Sequence, residues 1–505
     1  MTALANGVEL DDNNAMDEFI QRAGEGRVRY DQELFETIMG RHFQEEQTET
    51  GRAFAQPPVA LPESEALAAA AATNPLVIAL TTLVDWVGPQ GRDLVQVEHV
   101  LRLPEAREAA RLLSTGEADL DVPDATGMPK LSLLIEWAKK TWIIRQYKGR
   151  LVQVKKNAAL LREPLALFRK AVDDFAELGE AVCVSPWPGE SLHDLFTEGF
   201  VVHIPDILNS LYGLPSPAPV ARMREPIVYA LSERWWTEPE GHDEQSKQLR
   251  ADIDRGLGRA FDLLADYGVL TSEHGTADPM YLADLTGPNA AQFPPRMVKR
   301  LRKELTAPTR LIRLTDLGHW AVRERLLAEG LDVPLIGELA DVTPVQLLGV
   351  IADGLYPAPD AFAEIDIWLS RAGRYAGDLV EAIRTVPFRT RRAALLSVLA
   401  DALPSGDALL RDLRDDPELA PTAIHLLTDR GELHEDDLTF DESGLMLAES
   451  FAPTLELEGP DALRDMLSSV HPPDLPKVVD LVESSRLDAA TRAEIGKALD
   501  AVRAG

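Results

Sequence analysis

The chain has very little cysteine: Cys183 is its one thiol in 505 residues. An intramolecular disulfide and a thiolate zinc site are thereby excluded, and Cys183 reads as a small, partly buried linker residue. Aromatics are also scarce, at 6%, whereas Ala, Leu, Asp, Glu and Arg abound, a balance that favours helix over sheet. The recurrent catalytic signatures are missing too. GLGRAF at 256–261 has no third glycine, no GK[ST] lysine and no preceding strand, so it does not cradle phosphate. There is no GxSxG elbow. LHEDD at 433–437 is the one dense histidine–acid cluster, and it lacks the pair of histidines four apart that puts two nitrogens on one helical face; it reads as a surface turn. Carboxylate pairs are everywhere in so acidic a chain, so none stands out as acid–base machinery. No catalytic, cofactor-binding or metal-ligating residue is assigned, and the chain reads as a non-enzyme.

Long apolar runs are lacking as well, with one near exception. From Ala66 to Val84 there is no charge, a length that approaches a membrane span. Asn74-Pro75 interrupts it, and this pair predicts an N-cap and first position of a new helix. Two core helices are expected there instead of one span. The first twenty residues are acidic and hold no signal-like apolar segment. A cytoplasmic protein with no membrane contact is the expectation.

What is abundant is acid. Lys and Arg number 51 against 83 Asp and Glu, a formal net charge of -32. The imbalance sits at the ends: -9 over 1–74 and -18 over 331–505, against 15 bases and 15 acids over 75–180 and -5 over 181–330. At this length three or four domains are natural, and the pattern suggests four. Residues 1–73 form an acidic helical arm, 74–182 and 190–330 two related modules, and 331–505 an all-helical domain. The expected fold class is mostly α: tandem winged-helix-like modules with short β-hairpin wings, then a HEAT-like or bundle domain.

The order of elements carries this. A helix from Asn74 is followed by a strand candidate at 93–98, a helix at 103–114, an acidic loop, a helix at 130–141, a hairpin, and a helix from Pro164. That is the order of a winged helix-turn-helix, with a longer loop between the second and third helices than a tight turn. The segment 190–330 repeats the plan: two helices, two strand candidates within 268–286, a basic stretch, then a strand, an N-capping Thr315 and an exit helix. From 331 onward short helical patterns follow one another between Pro- and Gly-marked breaks, as in a solenoid.

The hairpin WIIRQYKGRLVQVKKN, 142–157, holds five bases and no acid. A three-residue Lys148-Gly149-Arg150 loop would put Trp142, Ile144, Val152 and Val154 on the inward face and Arg145, Tyr147, Gln153 and Lys155 on the other. If the module met DNA, Ser132, Glu136, Lys139 and Lys140 would lie on or near the probing helix. The nucleic-acid candidates are then Lys139, Lys140, Arg145, Lys148, Arg150, Lys155 and Lys156, the wing residues neutralising phosphates. The competing reading is a solvated hairpin face in a protein-binding module, and winged modules often serve as adaptors. The primary expectation is a non-enzymatic scaffold or adaptor with a protein partner, the alternative a DNA-binding regulator. A second basic stretch, Arg296 to Arg313, reads as a solvated helix face, and Trp235, Trp236, Trp320 and Trp368 as core.

The run LLIEWAKKTWIIRQYKGRLVQVKKNAALLREPLALF and the later RLTDLGHWAVRERL resemble segments of uncharacterised proteins from high-GC Gram-positive bacteria, some described as plasmid open-reading-frame-like. The resemblance spans about 75–330. It implies winged modules and brings no activity or catalytic residues.

Overall fold

The computed structural model describes residues 56–95, 99–182, 191–235, 244–286, 288–352, 356–386, 389–457, 460–468, 475–487 and 489–504. The expected N-terminal helices, Cys183, Trp236 and the end of the 93–98 strand candidate lie outside them. The fold is mostly helical with two small three-stranded antiparallel sheets. The chain divides into two compact units, one of which is Val59–Val333.

In that unit α1 (Ser64–Ala72) and α2 (Pro75–Val87) meet at a 53° bend. The bend follows from Asn74, whose Oδ1 accepts the Leu76 and Val77 N–H groups at 2.9 and 3.4 Å while Pro75 takes the first helical position. No single helix among the described residues is long and apolar enough to cross a membrane. After β1 (Arg92–Asp93) come α3 (Leu103–Leu112), α4 (Pro129–Lys140), β2 (Ile144–Tyr147), β3 (Arg150–Gln153) and α5 (Pro164–Asp174). The strands pair in the order β1-β3-β2.

The same order then recurs. After α6 (Ser191–Tyr212) come β4 (Ala218–Pro219), α7 (Val220–Trp235), α8 (Glu244–Asp266), β5 (Leu270–Gly275), α9 (Pro295–Leu305), β6 (Thr309–Leu314) and α10 (Asp316–Ala328), with strands in the order β4-β6-β5. The segment 268–286 supplies one strand, not the two expected; its second half forms the short helix Met280–Ala283. The partner of β5 is β6, so a long helical insertion replaces a tight wing. Thr315 caps α10 as expected, its Oγ1 accepting the Gly318 N–H at 3.0 Å. A Cβ at Gly318 would lie 2.0 Å from the Val269 carbonyl oxygen, so only glycine admits this close packing of helix on strand.

One continuous apolar core runs through both halves, from Leu67 to Val333. At its centre the fully buried Trp137 of α4 donates to the Ala171 carbonyl of α5 at 2.8 Å and packs edge-on against Tyr267, ring centroids 5.2 Å apart. Asn74 reaches the same segment, donating to the Tyr267 carbonyl at 2.9 Å. Neither half is closed without the other.

The hairpin differs from its expected register. Ile144 pairs with Gln153, Arg145 with Val152, Gln146 with Leu151 and Tyr147 with Arg150, leaving a two-residue Lys148-Gly149 turn. Both turn residues are left-handed, with φ of 50° and 72°, the form whose twist matches the flanking strands. Cross-strand partners share a face. Ile144, Gln146, Leu151 and Gln153 therefore lie on one face, and Arg145, Tyr147, Arg150 and Val152 on the other. By alternation alone a two-residue turn mixes polar and apolar residues on both faces, which argues for the three-residue loop. That objection fails because both amides find partners: Gln153 Nε2 donates to the Val84 carbonyl at 2.8 Å, and Gln146 hydrogen-bonds His99 at 2.9 Å. The buried pair is Ile144 and Leu151, while Val152 and Val154 are half-buried and Trp142 is 61% exposed.

Within residues 334–505 the described elements are α11 (Pro344–Ala352), α12 (Ala358–Leu369), α13 (Ala376–Arg384), α14 (Arg389–Ala402), α15 (Gly406–Asp412), α16 (Ala420–Asp429), α17 (Phe440–Leu457), α18 (Pro460–Ser468), α19 (Leu475–Ser484) and α20 (Ala489–Ala504). Helices often pack on the next but one: α11 on α13, α12 on α14, α14 on α16, α17 on α19 and α18 on α20. Two successive cores result, spanning Leu339–Leu427 and Ala420–Leu499. Trp368 is a core residue as expected, donating to the Val342 carbonyl at 3.0 Å.

Candidate nucleic-acid interface

The seven basic candidates separate into two groups. Lys139 holds Glu136 at 2.7 Å, Lys140 holds Glu177 at 3.3 Å, and Arg150 holds Asp93 at 2.8 Å. These three are neutralised within the unit. Arg145, Lys148, Lys155 and Lys156 are exposed and have no acidic partner among the described residues. Arg145 and Lys148 place their cationic groups 5.2 and 5.3 Å from the centroid of the Tyr147 ring, which is itself 50% exposed. Lys155 and Lys156 begin a short helical turn directly after the hairpin.

The N-terminus of helix α4 is engaged within the unit. Its first free N–H groups, those of Lys130 and Leu131, are taken by the two carboxylate oxygens of Glu117 at 2.8 and 2.9 Å. Glu117 is buried, and its negative charge complements the positive end of the helix. This is what the long loop between α3 and α4 does. The flank bearing Ser132, Ile135, Glu136 and Lys139 borders a cavity of about 100 Å³ whose other wall includes His99, Leu101 and Gln146. Of the residues expected on or near a probing helix, Ser132, Glu136 and Lys139 border this cavity, and these three and Lys140 are half-buried.

The C-terminal end of α4 holds the least expected feature. Trp142 N–H bonds the Lys139 carbonyl at 3.0 Å and Ile143 N–H the Ala138 carbonyl at 3.1 Å, the bond pattern of a helix stop that normally carries glycine. Trp142 occupies that position at φ 57°, a conformation that costs a non-glycine residue about 1–2 kcal/mol. Its carbonyl accepts from Asn157 Nδ2 at 2.9 Å, fixing it beside Lys155 and Lys156. Trp142 thus holds a strained backbone and is 61% exposed. Sequence reading missed both Glu117, one acid in an acidic loop, and the exposure of Trp142. The signal for the latter was there: the helix KLSLLIEWAKKT ends with no glycine after it.

The second basic stretch is largely consumed internally. Arg300 and Arg250 both bond Glu225, at 2.7 and 2.6 Å, and Arg224 bonds Glu225, Asp254 and Glu304. Arg224 and Glu225 are buried, so the network satisfies charges that could not stand alone. Arg302 donates to the Leu285 carbonyl, Arg310 pairs with Asp262 at 2.8 Å, and Arg313 donates to the Pro215 carbonyl at 3.1 Å. GLGRAF lies inside α8, and Glu435–Asp437 of LHEDD form an exposed turn. No metal-holding group of His, Cys, Asp and Glu occurs among the described residues. Compared with protein-family models, with curated proteins and with solved structures, the chain matches none of them.

Proposed function

We propose that the chain is a non-enzymatic adaptor that binds other proteins, built from two winged-helix-like modules sharing one core and a HEAT-like helical domain. The recurrence of one strand order, β1-β3-β2 and β4-β6-β5, between corresponding helices supports the module reading. The observation that carries the adaptor reading is the engagement of α4 within its own half of the unit. Its end is capped by Glu117 and its flank borders the turn beyond β1, so the module supplies shape and hairpin surface instead of a helix for the major groove. The helical domain offers a complementary site. Val345, Leu348, Ala382, Val386 and Leu395, with Arg391 at the rim, line a cleft of about 210 Å³, and Val345 is 45% exposed. A cleft of this kind takes an apolar anchor from a partner protein.

Affinity capture from the cells that make the protein tests the reading, with full-length chain and its Val345→Glu variant as baits. A partner held by the parent chain and released by Val345→Glu is the expected outcome. A duplex DNA affinity lost on Lys139→Glu with Lys140→Glu, and no protein captured, contradicts it and restores the regulator reading.

A further inference from the structure

The adaptor reading leaves the hairpin surface unexplained. In a chain with 32 more acids than bases, four exposed cations within twelve residues stand without an acidic partner among the described residues. Two exposed aromatic rings lie among them, Tyr147 at the turn and Trp142 at the base. Val154 N–H bonds the Ile143 carbonyl at 2.9 Å, and Trp142, at φ 57°, stands just before the extended strand while Lys155 opens the short turn just after it.

We propose that this hairpin, through Trp142, Arg145, Tyr147, Lys148, Lys155 and Lys156, binds single-stranded nucleic acid. The cations supply phosphate contacts and the two rings supply stacking faces for unpaired bases. Charge complementarity alone would suit any polyanion. The aromatic positions decide between them. Trp142 holds the left-handed position of a helix stop, where glycine would sit without strain, and most of its surface is exposed. Backbone strain of this kind gathers at binding and catalytic sites. A duplex keeps its base faces stacked inside and an acidic peptide has none, whereas a single strand presents them. The local charge does not oppose this: residues 75–180 hold 15 bases and 15 acids, and salt screens charges more than roughly 10 Å away.

The test uses the full chain and a fluorescein-labelled twelve-nucleotide oligo(dT), read by anisotropy across a salt series. Binding is expected with a log–log salt slope of about -3, from four phosphate contacts at about -0.7 each. Arg145→Glu with Lys148→Glu reduces that slope. Trp142→Gly and Tyr147→Ala each weaken binding about tenfold and leave the slope unchanged. Trp142→Gly also raises the melting temperature, because glycine relieves the strained stop; a merely structural tryptophan would lower it. Tyr147→Ala, at an exposed strand position, keeps the test open should the first variant fold poorly. No binding at 50 mM salt overturns the proposal. So does tighter binding of a twelve-base-pair duplex, equal binding of a labelled poly-glutamate peptide, or indifference to both aromatic substitutions.

Discussion

At the scale of single residues, the core of the 59–333 unit buries ionisable groups as well as apolar ones. Asp174, at the end of α5, is 6% exposed and has Lys170 Nζ at 2.6 Å from Oδ2. Burial pushes its carboxyl up to about 6 from an ordinary 3.8, a rise that the Lys170 ammonium only moderates. The sign follows from where each state loses its proton. The unfolded chain releases it near 3.8 and the folded chain near 6, so between these values the folded state holds more protons. Stability therefore falls as pH rises through that window, by up to about 3 kcal/mol for this group. Asp174→Asn should flatten that part of the profile, measured by denaturant unfolding at pH 4, 5, 6 and 7. An unchanged slope between pH 4 and 6 would show that the carboxylate is ionised throughout.

At the scale of elements, the hairpin turns on two left-handed residues. Gly149 has open space around its missing Cβ, so Gly149→Ala adds backbone strain alone. The expected loss is about 1 kcal/mol in urea unfolding; a neutral result would mean the turn adopts another form. This hairpin also shows how far the sequence was legible. Its position, its strands and its cationic tip follow from alternation and composition. Its register does not, because choosing between turn lengths required knowing that Gln146 and Gln153 meet His99 and the Val84 carbonyl, partners 47 and 69 residues away. The cap by Glu117 was hidden for the same reason, lying 13 residues from its N–H donors in a loop of interchangeable acids. The local rules, the Asn74 and Thr315 caps among them, were readable because each acts within three residues. Of the candidate interface, charge was visible and pairing was not: three of seven cations are taken by acids, and nothing in their spacing marks which.

At the scale of the whole molecule, an acidic chain keeps exposed cations and exposed rings together on the hairpin of the 59–333 unit, while in the later basic stretch Arg300 joins the Arg224–Glu225 network, Arg310 pairs with Asp262, and Arg302 and Arg313 donate to backbone carbonyls. Pairing leaves the hairpin lysines free among the described residues and ties those of α4 to acids. Lysine footprinting of the full chain tests it most directly, by brief acetylation and mass spectrometry. Lys148, Lys155 and Lys156, exposed and without acidic partners, should be modified faster than Lys139 and Lys140, which are tied to Glu136 and Glu177. Modification of Lys139 and Lys140 at the same rate as the hairpin lysines or faster would mean that α4 stands open, and would contradict the account.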